Sequence, residues 1–172
     1  MTDKIRIPQA EDFMTRKVHT VGPDEPMAEV ANLLVTHKLS SVPVVVHEES
    51  SGRNSLVGIV SEQDCLEHLS NELFHGRTEQ ARCAKHIMTA HPVCVSPETD
   101  LFALTSIFVS HGYRHLPVVE DHLLLGIVSR RDILRAIDAY YREWVLKTEM
   151  EHFPPDFSEI INLRFLPKSL SR

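Results

Sequence analysis

Apolar positions along this chain follow two rhythms that alternate. Met27, Val30, Ala31, Leu34 and Val35 recur at the three-and-four spacing of one helix face, and Leu101, Leu104, Ile107 and Phe108 do the same farther on. Val18–Val21 and Val93–Val95 read as short strands that lead into proline turns. Acids at Asp24, Glu25, Glu98 and Asp100 then suit the positive ends of the helices that follow. Pro43 and Pro117 each open a valine-rich run, and the first residue of a strand tolerates proline. Leu56–Val60 and Leu123–Val128 predict the next strands. Second helices are expected from about Glu62 through Leu66 and Leu69, and from about Arg130 through Leu134 and Ile137. The order is strand, helix, strand, strand, helix, and it occurs twice.

The letters repeat as well as the pattern. Met14-Thr15, Val21, Pro23, His37 and Pro43-Val44-Val45 return as Met88-Thr89, Val95, Pro97, His111 and Pro117-Val118-Val119, all at an offset of 74 residues. Gly58-Ile59-Val60-Ser61 and Asp64 return as Gly126-Ile127-Val128-Ser129 and Asp132 at an offset of 68. The first copy therefore carries extra residues, and the polar run His47–Ser55 places them in a longer hairpin loop. One copy alone makes a small sheet with helices on one face and nothing on the other. Two copies can cover each other. The predicted fold class is α/β (α+β), with two pseudo-twofold-related β-α-β-β-α units packed through their sheets. The expected divisions are a lead segment 1–11, repeats 12–75 and 76–140, and a helical tail 141–172.

Met-Thr opening each unit, then V-x-x-V-x-P, h-P-V-V and G-I-V-S-x-x-D in order, resembles a tandem cystathionine-β-synthase (CBS) domain pair, or Bateman module. The resemblance covers about residues 12–140. It implies a regulatory module that binds adenosine nucleotides in clefts between its two units. Some such modules take other adenosyl ligands, metal ions or nothing known.

The G-I-V-S-x-x-D element has a physical reading of its own. Gly58 and Gly126 close β-rich runs where a missing side chain lets a ligand approach the backbone. Ser61 and Ser129 stand where strand passes into helix, a position that caps a helix and also favours anions. Asp64 and Asp132 follow in the first turn, where a carboxylate can take both hydroxyls of a ribose. Ser-x-x-Asp is equally a capping box that needs no ligand, and at this level both readings stand. By resemblance, the cleft built on Ser129 and Asp132 gathers Ile127, His19, Leu39 and Ser40 around an adenine, with Arg114, Arg131 and His115 toward the phosphates. His19 stands where the pattern usually has a small or apolar residue. The second cleft gathers Ser61, Asp64, Ile59, Val93 and Tyr113. Copy one also offers Ser41 and Gln63, with acidic Glu62 beside them, where copy two has arginines. Arginine forks match phosphate oxygens, so the Asp132 cleft is expected to fill first.

Composition narrows the classes. The net charge is -6, with 18 Lys+Arg against 24 Asp+Glu, which disfavours a nucleic-acid coat protein. Cys65, Cys83 and Cys94 form neither a disulfide framework nor a CxxC zinc site; of the eleven histidines, His111 and His115 stand four apart, but Gly112 and Pro117 argue against a helix there. No catalytic arrangement, resident cofactor or metal is expected. The opening residues lack the apolar run of a signal peptide, and no apolar run is long enough to span a bilayer. A cytoplasmic protein without membrane or nucleic-acid partners is expected. Tyr140, Trp144, Val145 and Leu146, then Phe157, Ile160, Ile161, Leu163, Phe165 and Leu166, leave apolar faces that either pack back on the pair or form a homodimer or partner surface. The leading function is a stand-alone sensor of AMP, ADP or ATP. A ligand-independent docking module for an unidentified protein is the alternative, and an enzyme the least supported class.

Overall fold

The computed structural model describes residues 6–48, 52–75 and 82–148. Helix α1 spans Ala10–Phe13, α2 Met27–His37, α3 Glu62–His75, α4 Ala84–Ile87, α5 Leu101–His111 and α6 Arg130–Thr148. Strand β1 spans Ser41–Glu48, β2 Arg53–Ser61, β3 Thr89–Ala90, β4 His115–Glu120 and β5 Leu123–Ser129. The architecture is mixed α+β with antiparallel strand pairs, and the two copies of the sequence pattern give two copies of one unit.

Each unit is built on a hairpin. β1 pairs with β2 and β4 with β5, and both hairpins slip register at the same place, Val44/Val45 and Val118/Val119. The β4–β5 turn is two residues, Asp121 and His122, both at positive φ (49° and 67°), as a type I′ turn requires. The β1–β2 connection is longer, as the extra polar residues predict. The hairpins join edge to edge at a single bridge, Ser55 to Leu123, giving the order β1-β2-β5-β4.

The strands expected at Val18–Val21 and Val93–Val95 shrink to single parallel bridges, Val21 to Val44 and Val95 to Val118. What the periodicity does not predict is where each unit's leading segment goes. Thr15 bridges Ile127 of the other copy, and β3 pairs with Ile59 and Gly58 of copy one. The short helices ahead of these segments cross over too. Ala10 N–H donates to the Thr99 carbonyl at 2.9 Å and Leu101 N–H to Pro8 at 2.8 Å; Ala84 N–H donates to Glu25 at 2.8 Å and Met27 N–H to Arg82 at 2.9 Å. The crossing backbone thus satisfies N–H groups that open α2 and α5, which have no partner inside their own helices. α5 gains a further cap from Asp100, whose Oδ1 accepts from Phe102 and Ala103 at 2.9 Å each.

Two cores result. Ala10 and Met14 join Leu101, Leu104, Phe108, Leu116, Val118, Val128 and Ile133 in one. Ala84, with Ile87 and Met88 packed against it, joins Val30, Leu34, Val42, Val44 and Val60 in the other. Gly58 and Gly126 acquire their reason here. A Cβ on Gly126 would lie 2.8 Å from Met14 Sδ and 2.8 Å from the Thr15 carbonyl oxygen, and one on Gly58 would collide with Met88. The bare backbone makes room for the other copy's Met-Thr segment, which corrects the reading that a ligand approaches there.

Candidate functional site

Both Ser-x-x-Asp elements form the same local structure. Ser129 is the last residue of β5, and Asp132 lies in the first turn of α6. Asp132 Oδ2 accepts from the Ser129 N–H at 2.8 Å and from Ser129 Oγ at 2.6 Å, and Ser129 Oγ in turn accepts from the Asp132 N–H at 3.3 Å. Asp64 Oδ2 accepts from Ser61 N–H at 2.7 Å and Oγ at 2.6 Å, with the return bond also at 3.3 Å. Capping is therefore made in both copies. It uses one oxygen of each carboxylate. Asp132 Oδ1 lies 4.0 Å from Arg135, too far for a hydrogen bond.

Beside Asp132 opens a cavity of ≈ 460 Å³, within the range of about 300–1,000 Å³ of small-molecule sites. Ser129, Arg131, Asp132 and Ile127 line it from β5 and α6; Arg114 and His115 from the start of β4; His19, Leu39 and Ser40 from copy one. All nine residues expected around this cleft thus share one cavity. The crossing of the leading segment is what brings His19 there, because Thr15 is tied to Ile127 by paired backbone bonds of 2.9 and 3.0 Å. The His19 ring also lies against that of His37, the last residue of α2, with centroids 4.0 Å apart and the planes tilted by 32°.

At the back of the cavity the copies meet. His115 Nδ1 lies 3.1 Å from Ser41 Oγ and 3.4 Å from Ser40 Oγ, and Ser41 is the copy-one counterpart of His115. Burial pushes the His115 imidazole below its ordinary value, with Asp132 opposing that and Arg114 and Arg130 adding to it. Ser41, expected near Ser61–Asp64, lies on the Asp132 cavity instead, and the Ser40 carbonyl beside it accepts the Glu62 N–H at 3.0 Å.

The two arginines that open α6 differ in their partners. The Arg130 guanidinium donates to the carbonyls of Gly112 and Tyr113, closing the C-terminal end of α5, where a cation offsets the helix dipole. Arg131 is exposed on the cavity wall. Arg114 lies 3.9 Å from Glu62 and so touches both copies.

In the second cleft, Ile59 of β2 sits opposite Thr89 of β3. Val93 is 48% exposed on the segment that follows. Tyr113 is half-buried, packs on the copy-two core and lies 5.5 Å from the His111 ring. Among the described residues, no group of three His, Cys, Asp or Glu is placed to hold a metal ion, and no helix is long and apolar enough to cross a membrane.

The model of the CBS domain family matches residues 10–71 and 84–139. The chain belongs to the CBS domain family. An uncharacterised 17.7 kDa protein of Acidianus ambivalens is 32% identical over 130 residues, 75% of this chain and 73% of that protein. Inosine-5′-monophosphate dehydrogenase of Methanocaldococcus jannaschii is 28% identical over 130 residues, but these are only 23% of that enzyme. Among solved structures, CBSX2 in complex with AMP superimposes with a TM-score of 0.66 at 31% identity, over 78% of this chain and 99% of that one.

Sequence reading missed several residues of this cavity. Thr15, Lys17, Val18, Lys38 and Arg130 also line it. Lys17 and Val18 stand beside His19 and follow from the same crossing. Lys38 adjoins Leu39, and its signal lay in the repeat itself: it occupies the position that Gly112 holds in copy two.

Proposed function

We propose that this CBS pair is a regulatory module that binds an adenine ribonucleotide in the Asp132 cleft and passes the binding on as a change in angle between repeats or subunits. The observation that carries the reading is Asp132 itself, a carboxylate on the cavity lining: one oxygen holds the helix cap while the other lies 4.0 Å from Arg135, beyond hydrogen-bond distance. Such an oxygen can accept from a ribose hydroxyl. Lys17, Lys38, Arg114 and Arg131 stand on the same walls, and cationic forks and ammonium groups match phosphate oxygens. CBSX2, whose structure holds AMP, supports the ligand class. A ligand that favours one arrangement of the repeats shifts the population toward it, so the expected role is control of a partner rather than catalysis.

The two clefts are expected to differ. In copy one the residue after the cap serine is Glu62, and Arg114 lies beside it, so that cleft meets phosphate with weaker net attraction. Calorimetry with AMP, ADP and ATP should give at least one dissociation constant in the micromolar range, about -8 kcal/mol. Asp132→Ala should remove the tight phase and Asp64→Ala should leave it. The opposite pattern reassigns the clefts. Absence of heat and of thermal shift at millimolar nucleotide would leave ligand-independent docking of a partner protein as the reading.

A further inference from the structure

Lys38 sits in a conformation that disfavours lysine. Its φ is 54° and its ψ 44°, the left-handed region, where a Cβ crowds the following carbonyl. The conformation is imposed from both sides. Lys38 N–H donates to Val35 at 3.2 Å and Leu39 N–H to Leu34 at 2.9 Å, the paired bonds of a Schellman motif whose usual occupant here is glycine. Leu39 packs on the copy-one core, so the turn cannot open without unseating it. At the matching end of α5 the chain uses Gly112, with φ 69°. One of two equivalent helix ends thus carries a lysine where the other carries the residue the geometry favours.

Charge supplies the second observation. α5 ends under the Arg130 side chain, but the residue equivalent to Arg130 in copy one is Glu62, which faces Arg114. The cavity beside Lys38 collects Lys17, Lys38, Arg114 and Arg131, with Asp132 as its one carboxylate among the lining residues. The chain as a whole carries -6. A cationic cavity in an anionic protein is built for an anion of more than one charge. Arg114 and Arg131 come from copy two, Lys38 from the end of α2 in copy one, and Lys17 from the leading segment that crosses to β5, so both copies contribute cations.

We propose that Lys38, supported by Lys17, is a phosphate-contacting residue of this cleft that selects nucleotides with two or more phosphates over a monophosphate, and that its strained backbone is the cost of placing an ammonium group there. Strain of this kind at a ligand wall persists where the surrounding structure fixes it. The proposal rests on the nucleotide reading given above and adds the chain-length preference and the residue that sets it.

The test is a titration of the full chain with AMP, ADP and ATP in wild type, Lys38→Gly, Lys38→Asn and Lys17→Gln, each with a melting temperature. Wild type should bind ADP or ATP at least tenfold more tightly than AMP. Lys38→Gly should lose most of that ratio through weaker ADP and ATP binding, and melt no lower than wild type. Lys38→Asn tolerates the left-handed turn without the charge and should behave alike, and Lys17→Gln should lose part of the ratio. AMP bound as tightly as ATP by wild type, or a ratio unchanged in both Lys38 variants, overturns this proposal and leaves the nucleotide reading standing. No binding of any nucleotide to wild type overturns both.

Discussion

His115 shows how one side chain reads its surroundings. Its ring is half-buried where the two copies meet, against Ser40 and Ser41, and burial holds its proton affinity below the ordinary value of 6.5. Below about pH 6.5 the unfolded chain takes up a proton that the folded chain refuses, so the unfolded state binds more protons and stability falls as pH falls. Between pH 7 and pH 5, His115→Gln should therefore lose less stability than wild type. Urea unfolding at the two pH values checks this, and parallel pH profiles would refute it. Ser129 allows a second prediction. Its hydroxyl both donates to Asp132 and accepts from the Asp132 N–H, so Ser129→Ala should cost about 1 kcal/mol of stability, the usual effect of a lost helix cap. Ser61→Ala should cost about the same because the bonds match in length, and chemical denaturation of both variants measures it.

At the scale of elements, the crossing of the leading segments governs both the cores and the site. Met14 is 8% exposed in the copy-two core, and Thr15 holds the backbone that delivers Lys17 and His19 to the cleft. Gly126→Ala places a Cβ against a sulfur that can rotate away and a carbonyl oxygen that cannot. The expected cost is about 1–3 kcal/mol, as for overpacked interiors, and nucleotide affinity should fall with it because the His19 segment moves. A melting curve and a titration of the same variant test both halves. Gly52 has open space around it and sits in the hairpin loop, so repacking there cannot reach the site. The pattern of hydrophobic residues made the hairpins and long helices legible. It left α1, α4 and β3 unseen, because segments of two to four residues are too short to display a period and are held by partners far along the chain.

For the molecule as a whole, the helical faces turned away from the sheet raise the question of assembly. Val35 and Val109 are 78% and 70% exposed, and Leu66 and Leu134 are 65% and 67% exposed. These are equivalent positions in the two copies, so the duplication has kept apolar side chains on the outside of α2, α3, α5 and α6. Tyr140 packs on the copy-two core and lies edge-on to Phe102 at 5.6 Å, and Trp144 stacks on Tyr141 at 6.0 Å. Those two aromatics therefore contribute to α6's own packing. Ile160 and Phe165, also expected at an interface, lie outside the described residues. We propose a homodimer through the exposed valines and leucines, since a twofold pair buries such a patch against itself. Light scattering at micromolar concentration should return twice 19.6 kDa, and Val109→Asp with Leu134→Asp should return the monomer mass while the melting curve stays cooperative. A wild-type monomer would refute it.

The sequence by itself determined the duplication, the α+β class, the long helices and hairpins, and the Ser-x-x-Asp junctions, because each is written in local spacing or in letters that recur. That spacing marked Ser129 and Asp132 as one element, and the resemblance to a CBS pair added Arg114 to their neighbourhood. Only the tertiary structure decided that the leading segments exchange, that Gly58 and Gly126 make room for methionine, that Arg130 closes α5 as well as lining the cleft with Arg131, and that Lys38 lines the same cleft. Those outcomes depend on contacts between residues of different copies, whose side chains compete for the same space and the same carbonyl groups. Neighbours along the chain carry no record of that competition, and packing of the whole pair settles it.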